Sequence, residues 1–462
     1  MRALLVSTYD LGRQPFGLAS PAAWLRRAGV DVECVDTSRG ALDEARIAAA
    51  TLVGFYLPMH TATRLAAPLI DQVRRINPAA RLCAYGLYAP LNADWLRERG
   101  VDVVFGPEAE EALVAFVTAQ GPKPKAQGPI PRLHFIQPDR STLPPLEQYA
   151  SLRLPDGSRR VVGSTDATRG CKHLCRHCPI VPVYRGAFRA VPLDVVLADI
   201  GAQAAAGARH ISFGDPDFFN GPAHARRLVE RLAMLFPGLT YDVTIKIEHL
   251  LQHADMLPLL RETGCLFVTS AVESIDDEVL ARLRKGHTRA DFVRAVATCR
   301  AAGVPLSPTF IPFTPWTTLE GYVELLDELA ALDLAGAVAP IQLAIRLLVT
   351  ADSALLELPE LPELRERLEP FDGAALVWPW RHADARVDGV QQEVMRLVES
   401  MPQAARADVF DAVHALARDR AGRAGHSPSP RVPGRRAPTP PHLTEAWYCC
   451  AEVPSSISNL GI

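Results

Sequence analysis

Short apolar runs alternate with amphipathic segments along the first part of the chain. The apolar runs occupy 3–7, 30–35, 52–56, 82–85 and 101–105, and helical spacing occupies 21–28, 62–77 and 91–100. Strands that alternate with helices build a parallel sheet that is covered on both faces. Residues 1–118 are therefore predicted to form a doubly wound, Rossmann-like α/β domain.

The same alternation resumes after a segment rich in proline and glycine at 119–150, which is predicted to be a linker. Strands are predicted at 161–164, 211–213, 241–247, 266–271, 306–311 and 341–348. Six strand–helix units predict a partial (β/α)6 barrel of the TIM type at 151–350. In such barrels the active site lies at the carboxyl ends of the strands.

Helical spacing returns near the C-terminus, at 391–397 and 409–417. Residues 351–420 are therefore predicted to form a helical cap on the barrel. Residues 421–441 mix arginine, serine, glycine and proline, which predicts a disordered linker. The remaining residues, 442–462, are predicted to form a flexible tail.

Composition excludes several classes of function. The formal net charge of −3 gives no global attraction to nucleic acid or to an anionic membrane. No apolar stretch approaches the length of a membrane span, and residues 1–8 lack the pattern of a signal peptide. Nine cysteines in 462 residues form no regular framework, which indicates a reducing compartment. We expect a cytoplasmic protein that binds neither membrane nor nucleic acid.

Three cysteines, Cys171, Cys175 and Cys178, lie within eight residues, and residues 168–170 are predicted to form the turn that brings them to the end of the first predicted barrel strand. Thiolates are the ligands of soft metals and of iron–sulfur clusters. Three of them leave one iron of a [4Fe–4S] cluster open to a small molecule. A zinc knuckle and a chance group of cysteines are the alternatives. No fourth cysteine or histidine follows at zinc spacing, which favours the cluster.

This spacing, with His177 directly before the last cysteine, resembles the signature of the radical S-adenosylmethionine (SAM) enzymes. The resemblance implies a [4Fe–4S] cluster whose open iron is chelated by the amino and carboxylate groups of SAM. It also implies that an electron from the cluster cleaves SAM to methionine and a 5′-deoxyadenosyl radical. A reducing partner such as flavodoxin or ferredoxin and an unidentified substrate would complete the reaction.

Two acidic positions at predicted strand ends carry the resemblance further. Gly214 and Asp215 occupy the place where the family has a small residue and an acid for the amino group of SAM. Glu273 occupies the place of a polar residue that binds the ribose hydroxyls. The alternative for Asp215 is a helix N-cap, and the segment after Glu273 also fits a simple capping box.

Two further positions, Ile311 and Lys246, are candidates for binding SAM. Ile311, at the end of the fifth predicted strand, corresponds to the apolar surface against which the adenine of SAM packs, although apolar strand ends are common. Lys246 and Glu248 are predicted to share one face of the third strand, where Lys246 would meet the SAM carboxylate or an anionic substrate. A salt bridge between Lys246 and a neighbouring acid is the alternative. Lys285 is predicted to be a solvated cation at a helix C-terminus.

The order of elements in 1–118 resembles the cobalamin-binding domain that precedes the barrel in one branch of the radical SAM enzymes. That family takes its cobalamin ligand from an Asp-x-His-x-x-Gly loop after the first strand. Here the loop reads Tyr9-Asp10-Leu11-Gly12-Arg13-Gln14 and has no histidine. This departure predicts a structural or substrate-facing domain and argues against cobalamin.

The tail contains Trp447-Tyr448-Cys449-Cys450-Ala451-Glu452. It resembles a family of radical SAM proteins, some of them selenoproteins, named for a Cys-Cys-Ala-Glu-Pro or selenocysteine-Ala-Glu-Pro tail. The sequence departs from that name at Val453, where proline is expected. Because thiolates are nucleophiles and redox centres, Cys449 and Cys450 are predicted to react with the substrate or an intermediate. Recruitment of a partner is the alternative.

The sequence therefore predicts a radical SAM enzyme, an iron–sulfur oxidoreductase or transferase that begins by abstracting hydrogen from its substrate. A methylthiotransferase is an alternative, but that family has three further cluster cysteines in its N-terminal domain, where this chain has only Cys34 and Cys83. A metal-binding scaffold without catalytic activity is the other alternative, and it would require a saturated metal site.

Overall fold

The computed structural model describes residues 1–118, 133–357, 362–422 and 439–445. Two sheets organise the described chain. The strands of the first sheet are β1 Arg2–Ser7, β2 Asp31–Asp36, β3 Leu52–Tyr56, β4 Arg81–Tyr85 and β5 Val103–Val104. Its helices are α1 Phe16–Arg27, α2 Glu44–Ala49, α3 His60–Ile76, α4 Ala93–Glu98 and α5 Glu110–Val117.

The first sheet is parallel throughout and has the strand order β2-β1-β3-β4-β5. Buried side chains pack on both of its faces, as the apolar runs predict. Strand β1 lies between β2 and β3. The chain runs from β1 to β2 on one side and from β3 to β4 on the other side, so the loops after β1 and β3 diverge. That divergence leaves a crevice at the carboxyl edge of the sheet, which is where sheets of this order bind ligands.

The second sheet and its surroundings contain the remaining strands. These are β6 Ser151–Arg153, β7 Arg159–Thr165, β8 Thr168–Gly170, β9 Phe188–Ala190, β10 His210–Phe213, β11 Thr240–Thr244, β12 Cys265–Glu273, β13 Leu306–Phe310 and β14 His442–Leu443. The helices that accompany the barrel strands are α6 Ile180–Tyr184, α7 Leu193–Ala205, α8 Pro222–Leu235, α9 Ile247–Gln252, α10 Leu257–Glu262, α11 Asp277–Arg282, α12 Arg289–Ala301 and α13 Leu319–Ala331. The C-terminal helices are α14 Pro362–Arg367, α15 Ala385–Ser400 and α16 Arg406–Arg420.

The seven-stranded sheet has the order β13-β12-β11-β10-β7-β6-β14. Its five strands β7, β10, β11, β12 and β13 are parallel, whereas β6 and β14 pair antiparallel at one edge. One large core lies between this sheet and its helices, and it includes the fully buried Tyr241 and Leu228. A fully buried leucine side chain contributes about 1.5–3 kcal/mol on burial. The fold class predicted from the sequence, a parallel α/β sheet followed by a partial barrel with a helical cap, is confirmed.

Three predicted details of the barrel are wrong. Residues 168–170, predicted as a turn, form β8, which pairs with β9. The third strand ends at Thr244, before the predicted limit of 247. The sixth strand, predicted at 341–348, is reduced in the described chain to one bridge between Phe313 and Arg346. Gln342 explains part of the difference. The backbone N–H of Phe310 donates to the side chain of Gln342 and not to the backbone of a sixth strand.

No helix in the described part of the chain is long and apolar enough to cross a membrane.

Candidate functional site

The loop after β8 carries the three predicted cluster cysteines into a cavity of about 310 Å³. Gly170, the last residue of β8, has a φ of +79°, and a Cβ added there would lie 2.3 Å from the ring of Tyr184. Glycine is therefore required directly before the first cysteine. Cys171, Cys175 and Cys178 all line the cavity, and burial raises the pKa of the Cys171 thiol to about 12, with smaller contributions from the other two. The three thiols thus lie close enough to interact electrostatically.

The first half of this loop is held by residues that follow β10. The side chain of Asn220, which is buried, accepts from the backbone N–H of Lys172 at 3.2 Å and donates to the carbonyl of Gly170 at 3.2 Å. These two bonds bridge the residues on either side of Cys171. They fix the backbone of the first cysteine relative to the end of β10.

A second contact to the same half of the loop runs through Asp217. Its Oδ2 atom accepts from Nε2 of His173 at 3.0 Å and from Nδ1 of His249 at 2.6 Å. Its Oδ1 atom accepts from the backbone N–H of Phe219. Burial would raise the pKa of Asp217, but the hydrogen bonds from the two histidines lower it. The sequence pattern does not reveal this network, although Asp217 lies two residues after the predicted Asp215.

Two histidines and a carboxylate within 4.8 Å of one another have the composition of a metal site. The directions of the hydrogen bonds explain this cluster of side chains without a metal. Lys246 donates through Nζ to Nδ1 of His173 at 3.2 Å, so Nε2 of His173 carries the proton that Asp217 accepts. Both ring nitrogens of His173 and both oxygens of Asp217 are then satisfied without a cation, and an ammonium group lies beside the ring of His173. We interpret the three side chains as a support for the loop that carries Cys171, Cys175 and Cys178, which we call the cluster loop.

The second half of the loop is held by the end of β12. Glu273 accepts from Nε2 of His177 at 3.2 Å and from Nζ of Lys285 at 3.3 Å, and all three side chains are buried. Burial alone would raise the pKa of Glu273, but Lys285 and His177 lower it to about 2. Glu273 also has a φ of +70°, a conformation that costs a non-glycine residue about 1–2 kcal/mol. Lys285 is therefore not the solvated cation that the sequence predicted.

The residues predicted to bind SAM lie around the same cavity. Asp215 lines it and accepts from the N–H of Ala167 and the hydroxyl of Thr168. Burial and the charge of Asp166 raise the pKa of Asp215 to about 7, although the two hydrogen bonds act to lower it. Gly214 is required for a steric reason, because a Cβ there would lie 2.3 Å from Oδ1 of Asp166. Ile311 is buried and lines the cavity.

The prediction that Lys246 and Glu248 share one face of the third strand is wrong. Lys246 precedes α9 and Glu248 lies in its first turn, so the two are not on one strand. They nevertheless form an ion pair of 3.1 Å. The salt bridge that the sequence left open as the alternative is therefore present, and Lys246 lines the cavity beside it.

The cavity also extends to the carboxyl edge of the first sheet. The loop after β1 contributes Asp10 and Arg13, and the end of β3 contributes Tyr56 and Pro58. Gly86, after β4, has a φ of +112°, and a Cβ there would lie 2.7 Å from the carbonyl oxygen of Leu57. The crevice of the first sheet and the cluster loop of the second therefore open into one shared space.

The tail cysteines Cys449 and Cys450 lie outside the described residues. The segment just before them is described: β14 pairs with β6, and the side chain of Glu445 accepts from the hydroxyl of Tyr9 at 2.6 Å. Tyr9 immediately precedes Asp10, which lines the cavity. The described end of the chain therefore lies beside one wall of the cavity.

Comparisons with known proteins agree with this geometry. Residues 166–329 match the model of the Radical SAM superfamily. A tRNA-2-methylthio-N(6)-dimethylallyladenosine synthase of Haemophilus influenzae is 24% identical over 276 residues, which are 56% of this chain and 55% of that protein. The corresponding protein of Pseudomonas paraeruginosa is 26% identical over 280 residues, 55% and 58% of the two chains. The chain thus spans about half the length of the curated relatives it matches.

Two solved structures share the fold. The cobalamin-dependent SAM radical enzyme OxsB, with aqua-cobalamin bound, superposes with a TM-score of 0.67 at 13% identity, over 90% of this chain and 72% of that one. The radical SAM methyltransferase TsrM of Kitasatospora setae gives a TM-score of 0.58 at 19% identity, over 72% and 71%. Both are radical SAM proteins, and TsrM has also been solved with cobalamin and a [4Fe–4S] cluster bound.

These neighbours contradict the prediction that argued against cobalamin. That prediction rested on one missing histidine. One loop residue does not decide whether the domain binds a corrinoid, and the crevice at the carboxyl ends of β1 and β3 is present here.

The matched segment contains β8, the three-cysteine loop and the parallel strands whose ends surround it. The prediction of a radical SAM enzyme is confirmed at the level of the superfamily, whereas the tail family named in the sequence analysis is not shown. Residues 166–329 of this chain form a radical SAM superfamily domain.

Proposed function

We propose that Cys171, Cys175 and Cys178 hold a [4Fe–4S] cluster that cleaves SAM reductively and so starts radical chemistry on a substrate in the shared cavity. One observation carries this proposal: the three thiols of a single loop face a cavity that the carboxyl ends of the parallel strands also reach. Three thiolates suit a cluster with one open iron. A cluster bound there would supply one electron to SAM.

In this proposal the strand ends bind and orient SAM. Asp215 presents a carboxyl group to the cavity for the SAM ammonium, and its existing bonds to Ala167 and Thr168 fix its direction. Ile311 offers an apolar surface for the adenine. Glu273 and His177 act together: the carboxylate holds the imidazole, which lies directly before Cys178. The test is the release of 5′-deoxyadenosine when anaerobic, reduced protein is given SAM.

A corrinoid belongs to the proposal because the fold neighbours bind one. The crevice between the loops after β1 and β3 would receive it, with Tyr56, Pro58 and Gly86 among its walls. Absorption titration of the protein with aquacobalamin tests this part.

Methylthiolation, named for the curated relatives, is not favoured by the geometry. Such an enzyme would need a second group of cluster cysteines in its N-terminal domain. In residues 1–118, Cys34 and Cys83 are both buried in the apolar core of the first sheet, and burial raises the pKa of Cys34 to about 11.

We further propose that Cys449 and Cys450 act on the substrate or an intermediate at the mouth of the cavity. The contact between Glu445 and Tyr9 supports this proposal. An extended chain spans at most about 3.5 Å per residue, so a segment of four residues that continues from Glu445 can reach about 14 Å. A thiol there would be within reach of the wall formed by the loop after β1.

Changing both tail cysteines to serine should leave the cluster and SAM cleavage intact but stop formation of the final product, because serine lacks the nucleophilicity and redox chemistry of a thiol. The measurement is product formation by mass spectrometry alongside 5′-deoxyadenosine. A Ser455→Ala, Ser456→Ala variant of the same tail serves as the control. Product formation at the wild-type rate by the double serine variant would show that the tail thiols are not catalytic.

A further inference from the structure

The cluster loop has two sides that alternate along its sequence. Its cavity side carries the cysteines, His173 and His177. The intervening side chains of Lys172 and Leu174 are exposed, and Leu174 is 44% exposed. Large apolar side chains with this much exposure are few in the described chain. The loop thus presents an apolar residue to solvent directly behind the proposed cluster.

Segments that carry basic residues pack beside the cluster loop on both sides of Leu174. A Cβ at Gly186 would lie 3.4 Å from the side chain of Leu174 and 3.6 Å from the carbonyl of Lys172, so the exposed Arg185 stands beside the loop. On the other side, the N–H of Arg176 donates to the carbonyl of Leu283, which brings the exposed Arg284 next to it. We call this surface, comprising Lys172, Leu174, Arg176, Arg185 and Arg284, the outer loop face.

The charge of the outer loop face differs from that of the whole chain. Its five residues are four cations and one exposed apolar residue, whereas the protein has a formal net charge of −3. An apolar centre with a charged rim is typical of protein–protein interfaces, and a rim of one sign accelerates association with a partner of the opposite sign. Interfaces for electron transfer are small enough to fit such a surface.

We propose that the outer loop face docks an acidic protein that donates one electron to the cluster. The donor is oxidised by one electron and the cluster is reduced by one, with no atom transferred. Adjacent Cα atoms lie about 3.8 Å apart, so a partner that covers Leu174 comes within one residue of Cys175. This inference rests on the proposed function, since it requires a cluster that is reduced from outside.

The test compares a protein donor with a small reductant on the full-length, cluster-loaded protein. Lys172→Glu and Arg185→Glu are combined in one variant, and cluster reduction is followed by stopped-flow absorption. With flavodoxin hydroquinone at low salt, the variant should be reduced at least tenfold more slowly than wild type, because steering of this kind is worth about 10–10³ in rate. The wild-type rate should fall as salt rises, whereas the rate of the variant should change little.

Two controls make the result specific. Arg231→Glu reverses an exposed arginine on α8 and should leave the flavodoxin rate unchanged. Leu174→Ser should slow reduction by flavodoxin, whereas Met234→Ser, at another exposed apolar residue, should not. Equal rates for the charge-reversal variant and wild type, or equal slowing by Arg231→Glu, would overturn the docking proposal.

Titanium(III) citrate separates this proposal from the proposed function. With that reductant the charge-reversal variant should reduce its cluster and release 5′-deoxyadenosine as wild type does. Failure of wild type itself to release 5′-deoxyadenosine with titanium(III) would contradict the proposed function. A variant that is slow with both reductants would show that the substitutions damage the cluster rather than a docking surface, and would also overturn the docking proposal.

Discussion

Replacing Cys171, Cys175 and Cys178 with alanine is expected to remove the iron–sulfur cluster and, with it, all cleavage of SAM. The reason is that these three thiols are the proposed protein ligands of the cluster, and an alanine side chain cannot bind iron. Each single replacement should have the same effect, since two thiolates hold a cubane cluster poorly. Iron and sulfide content and 5′-deoxyadenosine release measure the two consequences separately.

Cys299→Ala is the matched control for this series. Cys299 is a buried cysteine of α12 in the barrel core, so its replacement should cost about 1 kcal/mol of stability but no iron. A full complement of iron in the triple variant would contradict the assignment of the ligands.

Glu273→Gln is expected to destabilise the folded protein by about 3 kcal/mol at neutral pH. The carboxylate accepts from two buried groups, His177 and Lys285, and its pKa of about 2 lies well below the ordinary value of 4.5. A lowered pKa stabilises the folded state above about pH 4.5, and this stabilisation is lost as the pH falls toward 2. The difference between variant and wild type should therefore shrink as the pH falls through this window.

Urea unfolding of iron-free protein between pH 3 and pH 7 measures this difference. Glu278→Gln is the control, because Glu278 is 82% exposed and its ion pair with Arg282 spans 3.6 Å. An exposed pair of this kind contributes at most about 1 kcal/mol. Equal effects of the two substitutions would show that Glu273 does not stabilise the end of β12 in the way described.

The sequence predicts the fold class and the position of the cluster loop because both depend on local pattern. The spacing of the cysteines is visible directly, and the alternation of apolar runs identifies most strands. Prediction from the sequence fails where one pattern is compatible with two structures. Val243, Ile245 and Ile247 alternate as in a strand, yet Ile247 already begins α9 and is buried from there. Periodicity over so few residues does not separate a strand end from a first helical turn.

Contacts distant in sequence are the part that local pattern did not reveal. Asn220 lies about 50 residues from the backbone that it bridges. Lys285 looked like a solvated helix end, but Glu273 pairs with it across 12 residues. The prediction against cobalamin is wrong for a related reason. It rests on the sequence of one loop, whereas the crevice is formed by the whole carboxyl edge of the sheet.

The proposed function requires that three thiolates hold a cluster with one iron open to SAM. Electron paramagnetic resonance of the reduced wild-type protein, recorded with and without SAM, tests it most directly. We expect a [4Fe–4S] signal whose g-values shift when SAM is added, because SAM would bind the open iron. A cluster signal that SAM leaves unchanged, or a protein that holds zinc in place of iron, would contradict it.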